Sequence, residues 1–186
     1  RSLAIPCIAS LYERMEAEND ELVILDCSNN CVIVSPLKYE IDKYKKICER
    51  NDFYKQELNA YKYKEIEAID KKRIKVFANV SSSLEIDNVL ENNADGIGLF
   101  RSECIYLNSD TFPSEDEQFI QYKKCVSSLK DKPTIIRTMD IGADKQVSYF
   151  NISKEKNPAL GYRGVRLYKE YKEVFMTQLK ALLRTS

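Results

Sequence analysis

Two stretches decide how this sequence folds: Ala94-Asp-Gly-Ile-Gly-Leu-Phe-Arg-Ser-Glu103 and Thr134-Ile-Ile-Arg-Thr-Met-Asp-Ile-Gly-Ala-Asp-Lys145. Each begins with a short apolar run of strand length, Gly96 to Phe100 and Thr134 to Met139. Helical segments lie around them. Ile74 to Val80 reads as a preceding strand, and Ser82 with Glu85 forms a capping-box pair that opens a helix to about Asn92. Ser114 with Glu117, following Pro113, opens another helix to about Leu129, and helical segments run from Gly161 to Leu183. Strand and helix in alternation predict an α/β fold with a parallel sheet or barrel.

Upstream the rhythm is different. Residues 22–26 and Cys31 to Val34 read as two short strands turned at Asn29-Asn30 and ended by Ser35-Pro36. From Leu37 to about Lys72 the chain is rich in Lys, Glu and Tyr and lacks Gly and Pro, with apolar residues at 37, 41, 44 and 48, then 54, 58 and 61. This predicts a long amphipathic helix, or two joined near Asn51-Asp52, of about 50 Å if continuous. The phase slips between 48 and 54, which argues against a sustained coiled coil and for a connector between domains.

Composition narrows the class. Apolar residues make up 44% and charged residues 31%, as in an ordinary soluble protein. The 29 basic and 29 acidic side chains cancel, so no overall field favours nucleic acid or a membrane surface, and any anion binding is local. No apolar run approaches the roughly 20 residues of a membrane span. The six cysteines are read as reduced thiols of a cytosolic protein, buried as small hydrophobes. Cys27 and Cys31 form the only close pair, there is no histidine, and no metal site is expected.

The residues that carry chemistry are arginines. Arg101 follows the second strand of the α/β part, Arg137 lies near the end of the third, and Arg163 stands in Asn157-Pro-Ala-Leu-Gly-Tyr-Arg163. The C-terminal ends of parallel strands line the ligand crevice, and guanidinium stays charged and forks onto paired oxygens. Three such residues suggest a small, multiply anionic ligand. The plain structural alternative pairs Arg101 with Glu103 and Arg137 with Asp140. The loop from Asp140 to Lys145 reads as an active-site loop bent at Gly142, with Lys145 more readily a solvated lysine than a phosphate contact.

At these strings the sequence resembles Enzyme I of the bacterial phosphoenolpyruvate:sugar phosphotransferase system. Arg137-Thr-Met-Asp-Ile-Gly-Ala-Asp-Lys145 is close to that family's RTMDIGGDK, Asn157 to Arg163 resembles its NPxLGxR, and residues 94–103 resemble its GAxGxGLxRTE. Phe112-Pro-Ser-Glu-Asp-Glu-Gln-Phe-Ile-Gln-Tyr122 is similar to the FPTEEEQFxxY that follows. Ala143, Ser102 and Tyr162 stand where the family has glycine, threonine and commonly tryptophan.

The resemblance implies residues 1–36 as the tail of a phosphohistidine swivelling domain, 37–72 as a helical linker, and 73–186 as the first βα units of an incomplete (β/α)8 barrel. It implies that Arg101, Arg137 and Arg163 bind the phosphate and carboxylate of phosphoenolpyruvate. The family's phosphohistidine, Mg2+ ligands and acid cysteine would fall outside this chain, and Cys104 does not match that cysteine. The implied parent is a cytoplasmic, Mg2+-dependent homodimer that moves the phosphoryl group to its histidine and on to the phosphocarrier HPr for sugar uptake. The chain is expected to be an internal piece, inactive alone. Alternatives are a non-catalytic anion-binding or interaction module, and an enzyme of the pyruvate phosphate dikinase or phosphoenolpyruvate synthase type.

Overall fold

The computed structural model describes residues 5–9, 17–145 and 147–186. Of the expected swivelling-domain tail over residues 1–36, residues 1–4 and 10–16 lie outside the described residues. The chain divides between Lys64 and Glu65 into two units.

In the first unit, β1 (Val23–Asp26) pairs antiparallel with β2 (Cys31–Val34), Val23 opposite Val34 and Asp26 opposite Cys31. The Asp26 carboxylate organises the turn. It accepts from the backbone N–H groups of Ser28 and Asn29, each at 3.1 Å, and from the Asn29 side-chain amide at 2.7 Å. Tyr44 then donates its hydroxyl to the same carboxylate at 2.8 Å, tying helix α1 (Lys38–Asn59) to the hairpin. Glu40 accepts from the Leu37 N–H at 2.8 Å and starts that helix.

Two expectations fail here. Helix α1 stops at Asn59 rather than near Lys72. The residues beyond contain Ile66-Glu67 (β3), which pairs antiparallel with Arg73-Ile74 (β4), because both hold β-branched residues that cover each other across the ladder. The cysteines are also less buried than expected: Cys7, Cys27 and Cys48 are exposed, Cys31 and Cys104 are half-buried, and Cys125 alone is fully buried among the described residues. Cys27 sits in the hairpin turn, exposed.

The second unit carries a three-stranded parallel sheet, β5 (Ala78–Val80), β6 (Ile97–Arg101) and β7 (Thr134–Arg137), in that spatial order. The strand expected over Ile74 to Val80 is interrupted. The Asp95 carboxylate accepts from the Val76 N–H at 2.8 Å, taking a backbone donor that a continuous strand would use, and from the Arg73 guanidinium at 2.9 Å. A 3-10 turn (Ser83–Glu85) leads into α2 (Ile86–Glu91), where Ser82 caps as expected by accepting from the Leu84 N–H. Its partner differs: Glu85 accepts from the N–H and hydroxyl of Ser81, one residue earlier than a capping box would place it. A short helix not foreseen, α3 (Glu103–Leu107), follows β6 directly.

Helix α4 (Glu115–Leu129) begins with the expected capping box, Ser114 and Glu117 bonding to each other's backbone N–H. After β7 a long loop leads through a 3-10 segment (Gly164–Lys169) to α5 (Lys172–Thr185), which packs on α4. Phe100, Ile97, Val80, Tyr122, Cys125 and Ala181 form the core between sheet and helices. Tyr106, Met139, Ile141, Phe150 and Leu167 form a second cluster beneath the loop.

Buried amides tie the sheet ends to the helices. On α5, Gln178 is fully buried; its carbonyl accepts from the Met139 N–H at 2.8 Å, and its amide donates to the hydroxyls of Ser102 and Tyr122, each at 3.0 Å. Ser102 donates in turn to the Arg137 carbonyl at 2.6 Å. The backbone on both sides of Thr138 is therefore held from below by a satisfied polar network.

Candidate anion-binding site

Arg101 and Arg137 are the last residues of β6 and β7 and lie opposite each other in the parallel ladder. Neighbouring strands run about 4.8 Å apart, so the register alone sets two guanidinium-bearing residues side by side at the C-terminal edge of the sheet. The strand pattern also explains the direction of Arg101. Phe100 is buried in the core, and the next residue is exposed.

The loop after β7 brings the third arginine. Arg163 donates from Nε to Asp140 Oδ1 at 2.9 Å and from Nη2 to Asp140 Oδ2 at 3.1 Å, a forked contact, and from Nη1 to Asp144 Oδ1 at 3.1 Å. Asp140 also faces Arg137, whose Nη1 lies 3.4 Å from Oδ2. The hydrogen bonds from Arg163 hold the Asp140 carboxyl below its usual range against the effect of burial, with the charges of Arg163, Arg137 and Lys145 adding to them. Arg163 is itself held more firmly protonated by Asp140.

Gly142 makes the Arg163 contact sterically possible. A Cβ there would stand 2.8 Å from the Arg163 Cβ and 3.1 Å from Asp144 Oδ1. Its backbone needs no special conformation, so the glycine serves close approach rather than the bend expected from the sequence. The bend falls at Gly164 instead, with φ +52° and its N–H donating to the Ile141 carbonyl at 3.1 Å.

Glu103 does not take the place that the plain structural alternative gives it beside Arg101: its Oε1 takes an ion pair from Arg137 and another from Lys145 Nζ at 3.1 Å. Lys145 also donates to the Asp140 carbonyl at 2.7 Å, so it is built into the site and not solvated as expected. The other pair of that alternative, Arg137 with Asp140, is present. Among the described residues no carboxylate lies within ion-pair distance of Arg101. Its charge is felt at a longer range by Glu85: burial works to raise that carboxyl, but hydrogen bonds from Ser81 and Ser82 and the charge of Arg101 hold it low.

Four cations (Arg101, Arg137, Lys145, Arg163) and three carboxylates (Glu103, Asp140, Asp144) thus gather at one end of the sheet. Three of the cations are paired, and the exposed one, Arg101, has no ion pair among the described residues. A cavity of about 290 Å3 lies beside the site, lined by Ser81, Ser82, Cys104, Asn108, Glu117 and Gln121 among others, and none of the three arginines lines it. Burial pushes the Cys104 thiol up, helped by the charge of Glu103, so at neutral pH it is a thiol and not a nucleophilic thiolate. Among the described residues no group of three or more His, Cys, Asp and Glu side chains is arranged to hold a metal ion.

The same region carries the likeness to known proteins. Residues 55–186 match the family model of the PEP-utilising enzyme, PEP-binding domain. The whole chain is 40% identical to part of a phosphoenolpyruvate-protein phosphotransferase of Buchnera aphidicola subsp. Baizongia pistaciae, covering 32% of that protein. It is 38% identical to the protein of that name from Staphylococcus aureus (strain MRSA252), covering 33% of it, and 40% identical to that from Mycoplasma capricolum subsp. capricolum, covering 32%. The chain spans about a third of the length of these relatives while matching over its full extent. With the arginine strings and the parallel sheet that positions them, this places the chain in the family of PEP-utilising enzymes, in their PEP-binding domain.

Proposed function

We propose that this chain is the part of a phosphoenolpyruvate-protein phosphotransferase that receives phosphoenolpyruvate. The observation that carries the reading is the pairing of Arg101 with Arg137 at the C-terminal edge of a parallel sheet, with Arg101 uncommitted. Arg101, Arg137 and Arg163 are the proposed contacts to the phosphate and carboxylate. Arg101 makes the first contact; Arg137 and Arg163, now shared with Asp140, turn part of their donor set to the ligand. Charge on a transferring phosphoryl group is spread over its oxygens, and preorganised cations stabilise it without rearranging solvent.

In this reading residues 1–36 are the tail of the phosphohistidine swivelling domain, 37–72 the linker and 73–186 the first part of a (β/α)8 barrel. The hairpin of β3 and β4 straddles the second boundary, and its strands sit in the second unit. The phosphoryl group passes to a histidine of the swivelling domain and then to HPr, in a cytoplasmic homodimer that supports sugar uptake. Mg2+, the proposed ion of the parent enzyme, would neutralise charge on phosphate oxygens when bound. The described residues do not form a centre for it.

The test is a chimera. This chain replaces the matching third of the Staphylococcus aureus relative, and label from phosphoenolpyruvate is followed onto HPr. Transfer that disappears with Arg101→Ala is the expected result. A folded chimera that leaves HPr unlabelled overturns the assignment.

A further inference from the structure

We propose that Glu103 is a positioning residue of the anion site, acting through Arg137 and Lys145 to decide which anion the site prefers. The proposal rests on the functional reading above and adds to it the source of selectivity. Glu103 is only 3% exposed. Burying a carboxylate is costly unless cations meet it, and a neutral side chain of the same shape would avoid that cost.

Its partners show what the charge is for. Both ion pairs, from Arg137 Nη2 and Lys145 Nζ, converge on the single oxygen Oε1. The other oxygen, Oε2, is buried and accepts from nothing among the described residues. A brace for the backbone would use both oxygens on N–H groups; this carboxylate faces two site cations and little else. Helix α3 is five residues long, so its start gives no separate reason for a buried acid.

Arg137 and Lys145 come from the strand end and from the loop eight residues further on, and Glu103 is the atom-level link between them. Lys145 keeps one other anchor, the Asp140 carbonyl. Without the carboxylate, the cations remain but their placement relaxes. General attraction for anions then holds or rises, since one negative charge has gone. Recognition of a ligand that carries a phosphate and a carboxylate at fixed separation falls, because it needs both cations in place.

The experiment compares phosphoenolpyruvate with inorganic phosphate by calorimetric titration of the full chain, wild type beside Glu103→Gln and Glu103→Asp. The expected result for Glu103→Gln is a loss of about ten-fold in phosphoenolpyruvate affinity, the scale of one charge-assisted hydrogen bond, with phosphate affinity unchanged or higher. Glu103→Asp recovers part of the preference. A parallel fall for both ligands, or no fall for either, overturns the proposal, because a purely structural role cannot separate them. If the Glu103→Gln chain does not fold, Lys145→Met must show the same selective loss, and an unchanged preference in it overturns the proposal equally. A wild-type chain with no preference for phosphoenolpyruvate overturns the functional reading itself, whereas a preference retained in every variant overturns only the role of Glu103.

Discussion

At the scale of single residues, the site is a balance of cations and carboxylates in which Arg101 stands out. It is exposed and has no carboxylate within ion-pair distance among the described residues, so its removal takes nothing from the fold. Arg101→Ala is expected to leave the melting temperature within a degree or two while weakening phosphoenolpyruvate binding ten-fold or more, about 1.5–3 kcal/mol for a charged hydrogen bond; paired melts and titrations measure both. Asp140 behaves in the opposite way. Its pKa is lowered in the folded chain by Arg163, so its contribution to stability is fully present above the unfolded carboxylate value, about 3.9. That contribution is lost as pH falls through the lowered folded value. Asp140→Asn is therefore expected to be less stable than wild type at neutral pH and to flatten the acid limb below about pH 4. Thermal melts across pH 7 to about 2.5 check the sign; a variant with an unchanged acid limb contradicts it.

At the scale of elements, two devices fix where the site residues stand. The capping box at Ser114 starts α4, and Ser114→Ala is expected to cost about 1 kcal/mol in urea unfolding, with ligand affinity unaffected. Gln178 reaches from α5 to the Met139 N–H and to the hydroxyls of Ser102 and Tyr122. Gln178→Leu leaves those groups without their partner and is expected to cost about 2–4 kcal/mol, one to two buried polar groups; a loss under 1 kcal/mol would show that the network is not holding the sheet ends.

These elements also show which parts of the fold the sequence could carry. Strands β6 and β7, the Ser82 cap and the capping box at Ser114 were legible because they depend on runs and spacings within a few residues. The end of α1 was not, since β3 and β4 pair across a short turn that helical spacing of Leu58 and Tyr61 masks. The partners of Glu103 and Lys145 were not legible: their contacts span 34 and 42 positions and depend on how α3 follows β6. Gln178 carried no signal at all, because a glutamine in an amphipathic helix gives no sign of which donors it will meet.

At the scale of the whole molecule, one parallel sheet turns three distant arginine strings into one local site in a chain whose overall charge is zero. The second unit holds the parallel sheet, both apolar clusters and all the residues of the candidate anion site. The central claim is that the C-terminal edge of this sheet binds phosphoenolpyruvate through its arginines. Calorimetric titration of the chain with phosphoenolpyruvate, beside Arg137→Ala and with and without Mg2+, tests it most directly. The account predicts saturable binding by the wild type that Arg137→Ala loses. No binding by the folded wild type, or equal binding by the variant, would contradict it.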